Sequence, residues 1–232
     1  MLIVARSAGL VLRILVAMRQ MNAMSLPLAS VARDDTATDW SLGPNVPQTR
    51  NRRLRRFGEW WMRRMGWRFE GAMPNLRKFV VIVAPHTSNW DFIVGLAAKW
   101  ALGLDGRWLG KDVLFLPPLG WFMRAIGGVP VDRAARHNIV EASVREFAMR
   151  ERFVLVLAPE GTRRKVKEWR SGFWHVAKQA NVPICCVAFD WATMTVRLGP
   201  TSMPVEDDAA AGIARVRLSY DDVRGYNPAL QT

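Results

Sequence analysis

Between residues 50 and 68 the apolar side chains recur with the period of a helix. Leu54, Phe57, Trp61, Met62 and Met65 fall at i, i+3, i+7, i+8 and i+11, which puts them on one stripe. Arg52, Arg56 and Arg63 lie largely on the opposite side, and Trp60 and Trp67 flank the stripe. Beyond Pro74 the pattern changes to short continuous apolar runs separated by helical segments. Phe79–Ala84 (FVVIVA), Phe153–Ala158 (FVLVLA) and Pro183–Ala188 (PICCVA) predict buried strands, Val129–Val131 a short strand and Thr195–Leu198 an edge strand. Asn89–Leu102, Asn138–Arg150 and Gly172–Ala180 predict helices, and Glu206–Arg224 a mostly helical end. Strands that are apolar throughout are covered on both faces. The pattern therefore predicts an α/β fold, a largely parallel mixed sheet flanked by helices. Gly43, Pro44 and Pro47 mark residues 34–48 as a linker.

Composition adds an ambiguity. The 232 residues hold 33 Lys plus Arg against 20 Asp plus Glu, a net charge of +13, together with 11 tryptophans. Such a balance suits either a nucleic acid or an anionic membrane surface. Residues up to Arg68 supply +8 of that charge (12 basic minus 4 acidic), so the excess is concentrated ahead of the α/β pattern. The helix of residues 50–68 either packs its stripe on the domain and solvates its arginines, or lies in a membrane interface. The longest stretch free of charge, Gln20–Ala32, has 13 residues. That is short of the roughly 18–20 a spanning helix needs, so none is predicted. Residues 1–30 read as a basic amphipathic helix, or as sequence upstream of a later start at Met18, Met21 or Met24. Cys185 and Cys186 are adjacent; on a strand they point to opposite faces and cannot share an ordinary disulfide. His86, His137 and His175 are scattered, so no metal site is predicted.

Three polar clusters follow the C-terminal ends of predicted strands, where open α/β sheets bind ligands. In PHTSNWDF, His86 sits just past a strand and Asp91 in the first turn of a helix. Asp91 could hold the imidazole in one tautomer while the other nitrogen takes a proton. Ser88 and Asp91 also match a capping box, a purely structural use. In GGVPVDR, Arg133 emerges beside Asp132 and suits a phosphate or a carboxylate. In APEGTRRKVKEWR, Glu160 can accept from hydroxyls, Gly161 lets the backbone approach a ligand, and Thr162, Arg163 and Arg164 crowd donors nearby. There is no GxSxG elbow and no P-loop. A histidine base without a protein nucleophile points to general-base acyl transfer, with a substrate hydroxyl attacking an activated acyl group.

The order of these clusters resembles the lysophospholipid acyltransferase family, to which the 1-acyl-sn-glycerol-3-phosphate acyltransferases belong. HTSNWD (His86–Asp91) is similar to the family's His-four-residues-Asp block, in its bacterial HTSNWDF variant. GVPVDR (Gly128–Arg133) is similar to the second block, PEGTR (Pro159–Arg163) to the third, and Val182-Pro183 to the fourth. Lys111 and the stretch LFLPPLGWFMRAIGG resemble the region before the second block. The similarity runs from about Arg50 to Arg224.

The resemblance implies an O-acyltransferase that moves a fatty acyl chain from acyl-CoA or acyl carrier protein to a lysophospholipid. The most direct acceptor is 1-acyl-sn-glycerol-3-phosphate. It assigns His86 and Asp91 to catalysis, and Arg133, Arg163 and Lys111 to the acceptor phosphate. Glu160, Gly161 and Thr162 go to the rest of the acceptor site. No cofactor or metal is implied beyond the thioester co-substrate. The expected organisation is an N-terminal basic segment and linker (1–48), an amphipathic interfacial helix (49–70) and an acyltransferase domain (71–232). The expected partner is an anionic membrane surface, at the cytoplasmic face of the cell membrane, and not nucleic acid. The alternatives are a phosphate-free acceptor, such as an amino-acid-containing lipid, and a basic nucleic-acid-binding protein.

Overall fold

A computed structural model describes residues 41–131, 136–162, 165–204 and 208–231. The N-terminal stretch read above as an amphipathic helix or a late start lies outside them. The first element is helix α1 (Arg52–Arg64), capped by Asn51, whose side chain accepts from Leu54 N at 3.1 Å. Arg63 and Arg64 fall in its last turn, where cations complement the helix dipole. Then come strands β1 (Arg68–Gly71) and β2 (Lys78–Ala84), helix α2 (Asn89–Leu102) and strand β3 (Gly106–Lys111). A 3₁₀ turn (Asp112–Phe115) leads to α3 (Leu119–Ala125) and β4 (Gly128–Val131). The chain continues through α4 (Arg136–Met149), β5 (Phe153–Leu157), α5 (Gly172–Gln179), β6 (Ile184–Asp190), β7 (Thr195–Ser202) and α6 (Ala209–Arg217).

The strands form one sheet in the order β1-β7-β6-β2-β5-β3-β4. β6, β2, β5, β3 and β4 run parallel, and β7 and β1 run the other way through the antiparallel β6–β7 pair. The expected largely parallel mixed α/β sheet is therefore present. β7 is not the edge, because the four-residue β1 pairs outside it.

Side-chain alternation sorts the sheet into two cores. On β2, Phe79 and Val81 join Trp61 and Met62 of α1 and Val94, Ala97 and Ala101 of α2. Val80, Ile82 and Ala84 join Phe147 of α4, Phe173, Trp174 and Val176 of α5 and Val216 of α6. Cys185 and Cys186 fall into opposite cores and both are free.

Trp61 and Met62 of the α1 stripe thus pack on the domain core, while Phe57 of the same stripe stays exposed. Met62 is fully buried, and Gly58 packs so closely that a Cβ there would lie 2.5 Å from Ala101 N. Burying a side chain the size of Met62 stabilises by about 1.5–3 kcal/mol relative to leaving it in water. What α1 leaves outside is its arginine side together with Phe57 and Trp60.

Within the expected linker, Val46 is fully buried, and Gln48 forms a β-bridge with Leu104. Among the described residues no helix is long and apolar enough to cross a membrane.

Candidate active site

Parallel strands deliver their C-terminal ends to one edge of the sheet, and the chemistry collects there. β2 leads to Pro85 and His86, β5 to Pro159, Glu160 and Gly161, and β3 ends on Lys111. β6 leads to Trp191.

The β2–α2 turn is held by Asp91, whose residue is 1% exposed. Its Oδ2 accepts from Thr87 N at 2.8 Å and Ser88 N at 2.7 Å, and its Oδ1 accepts from Trp191 Nε1 at 2.8 Å. Ser88 Oγ accepts in return from Trp90 N at 3.1 Å, so the capping box is formed. His86 Nδ1 stands 3.6 Å from Asp91 Oδ2, and the imidazole remains partly open to solvent. The structural and chemical readings of Asp91 are compatible. The amides and the helix N-terminus favour an ionised carboxylate, and an ionised carboxylate is what orients a histidine base.

Glu160 reaches the same turn from below. Its Oε2 accepts from His86 N at 3.1 Å, a contact spanning 74 residues of sequence. Glu160 is buried, and burial pushes its carboxyl up to about 7. The His86 amide works against that rise, the charge of Asp91 adds to it, and Arg217 opposes it. Glu160 lines a small polar cavity of about 90 Å³ with Trp169, Arg217, Asp221 and Gln231.

A much larger cavity, about 580 Å³, opens on the other side of His86. It runs beside α2 over the sheet, with Phe92, Leu96, Trp108, Leu109 and Val156 on its walls and Lys99 also lining it. From residue 89 to residue 99 the helix rises about 15 Å, which sets the length of that wall. Lys99 Nζ donates to Ile126 O at 2.8 Å, and burial lowers its ammonium to about 8. His86, Asp91, Lys111, Gly161 and Thr162 all line this one cavity. Arg133 and Arg163 lie outside the described residues, although Val131, two positions before Arg133, is on the cavity wall.

Two further residues stand at the site with no role expected from the sequence. Trp191 is fixed by the β6–β7 turn. Asp190 accepts there from Ala192 N, Thr193 Oγ1 and Arg197 Nη2, and Trp191 N donates to Arg224 O at 2.9 Å. Its ring meets Trp67 and Tyr226 edge-on at 5.0 and 4.7 Å. Arg170 lines the cavity beside Gly161. Gly161 has φ +64, a conformation that favours glycine, and Arg170 Nε lies 2.6 Å from where a Cβ would stand. The one hint of Arg170 in the sequence is the cation-rich run APEGTRRKVKEWR, which it closes.

Residues 67–190, more than half of the chain, match the family model described as Acyltransferase. The chain belongs to the acyltransferase family. The 1-acyl-sn-glycerol-3-phosphate acyltransferase of Saccharomyces cerevisiae (strain ATCC 204508 / S288c) is 28% identical over 116 residues. That alignment covers 47% of this chain and 37% of the yeast protein, so the chain spans well under half the length of this curated relative. The crystal structure of the 1-acyl-sn-glycerophosphate (LPA) acyltransferase PlsC from Thermotoga maritima superposes with a TM-score of 0.51 at 18% identity. The superposition covers 75% of this chain and 80% of that one, a likeness of fold. The family resemblance carried by the ordered blocks therefore holds.

Proposed function

We propose that this acyltransferase moves a fatty acyl chain from an acyl thioester to the free hydroxyl of a lysophospholipid, with 1-acyl-sn-glycerol-3-phosphate as acceptor and phosphatidic acid as product. The observation that carries the reading is His86 beside a buried, triply hydrogen-bonded Asp91, at a large apolar cavity in a chain of this family. Nε2 of His86 takes the hydroxyl proton as the alkoxide oxygen attacks the thioester carbon. The C–O bond forms, the C–S bond breaks, and the proton passes from the imidazolium to the departing thiolate. Asp91, 3.6 Å away, orients Nδ1 and stabilises the imidazolium.

Lys111, Arg133 and Arg163 bind the acceptor phosphate, with Arg170 joining them from the cavity wall. Gly161 and Thr162 receive the glycerol. Glu160 acts one step back, through the His86 amide. The donor is acyl-CoA or acyl carrier protein, and the protein works on an anionic membrane surface at the cytoplasmic face.

The test is acylation by purified protein of lysophosphatidic acid and of a phosphate-free lyso-lipid, with both donors, read by mass spectrometry. His86→Ala is expected to lose about 10²–10⁴-fold in rate. A near-wild-type rate in that variant overturns the mechanism. Equal use of the phosphate-free acceptor overturns the phosphate assignment.

A further inference from the structure

One surface is left unused by this chemistry. α3 and the 3₁₀ turn before it bury Phe115, Leu119 and Met123 in a small core with Ile126, packed against Phe92, Leu96 and Trp100 of α2. Their outer side is apolar as well. Trp121 is 79% exposed, and Val113, Leu116 and Phe122 are exposed beside it. A soluble surface tolerates single exposed apolar residues, but a cluster of this kind marks a contact site.

The cluster is linked to a second outcrop on α1. Trp60, 59% exposed, meets Phe57 at 5.8 Å, and Phe57 meets Trp100 at 5.9 Å. Trp100 in turn packs on the underside of the ridge.

We propose that the ridge of residues 113–122, together with Phe57 and Trp60 of α1, docks on the headgroup–acyl boundary of an anionic bilayer. The inference rests on the lipid-acyltransferase reading and adds the surface through which the enzyme meets its substrate phase. Three observations select a bilayer. Exposed indole and phenyl rings in cation-rich segments are the composition of a membrane interface. Segments 52–64 and 111–129 carry eight cations against two acids, Glu59 and Asp112. Glu59 pairs with Arg55, and Asp112 accepts from Val113 N. The ridge is also the outer wall of the large cavity, since Leu114 and Met123 line that cavity from within. The exposed centre of the ridge is the Trp121 indole, with Phe122 next to it in the chain, side chains that suit a headgroup–acyl boundary better than the acidic surface of a carrier protein.

The experiment compares the full chain with Trp121→Ser/Phe122→Ser in sedimentation with phosphatidylcholine vesicles, with and without phosphatidylglycerol. Met149→Ser, at an exposed apolar position on α4, serves as the control. The double variant is expected to bind anionic vesicles about ten-fold or more weakly at an unchanged thermal midpoint, while the control binds like wild type. Acylation of a monomeric short-chain lyso-lipid is measured alongside. It is expected to survive in the double variant, while acylation of vesicle-embedded acceptor falls. Wild-type vesicle binding by the double variant overturns the proposal, and so does a wild type that binds acyl carrier protein through these residues but no vesicles. A wild type that docks on vesicles yet acylates no acceptor overturns the enzymatic reading alone, which keeps the two failures apart.

Discussion

The β2–α2 turn and the β3–α3 segment start from the same edge of one sheet and end as opposites. In the first, Asp91 accepts three hydrogen bonds while almost wholly buried, and Glu160 holds the His86 amide from behind. In the second, Trp121, Phe122, Val113 and Leu116 are left in the open. The turn spends its polar groups on fixing one geometry, as proton transfer requires. The ridge leaves apolar area uncovered, which costs stability alone and is recovered only against another surface.

Substitutions at the turn should therefore change chemistry and folding together, and those on the ridge should spare both and change vesicle binding. The largest effect is expected for Asp91→Asn. The carboxylate accepts on both oxygens, so a carboxamide must turn its NH₂ either on the Thr87 and Ser88 amides or on the Trp191 indole. One buried donor then faces another, at a cost of about 1–3 kcal/mol in stability. Acylation should fall by about 10²–10⁴-fold. Thermal melting with single-turnover kinetics checks both, and a stable, active variant breaks the contrast.

Trp191→Phe keeps the ring contacts and removes one donor to the carboxylate, a charge-assisted bond. kcat should drop about ten-fold with KM nearly unchanged, because the carboxylate that orients His86 loses support. An unchanged kcat with a lower melting midpoint would mean that Trp191 only packs.

Glu160 gives a smaller, pH-dependent effect. Its folded carboxyl is raised to about 7, above its unfolded value, so the folded state binds the extra proton. The stability it contributes is fully present below the unfolded value and is lost as pH rises through about 7. The melting midpoint should decline across that window, and Glu160→Gln should flatten the decline. An identical slope in the variant would remove Glu160 as its source. The smallest effect belongs to the ridge: Trp121→Ser should leave stability within about 0.5 kcal/mol. A large loss would show that the indole is packed rather than presented.

How much of this was legible depended on whether the signal was local. FVVIVA and FVLVLA are continuous apolar runs, and each is a central strand. RFEG and GRWLGK are short, half polar and rich in glycine. They become strands because β7, β5 and β4 supply their hydrogen-bond partners. The capping box around Asp91 was legible because it spans four residues. The indole that completes the carboxylate shell comes from 100 residues away, and Arg170 reaches Gly161 only after the loop has folded back.

The stripe of α1 is the sharpest case. Its period states that one face is apolar, and nothing in a period states what that face will touch. The sequence by itself determined the helices other than α3, the buried strands, the His86–Asp91 block and the family, because these rest on residue type at short spacing. Only the tertiary structure decided that Trp61 and Met62 belong to the core and Phe57 and Trp60 to the outside. It also decided that Glu160 supports the histidine turn and that an apolar ridge stands over the cavity. Each of these is a contact between segments far apart in the chain, and burial is a property of the packed whole.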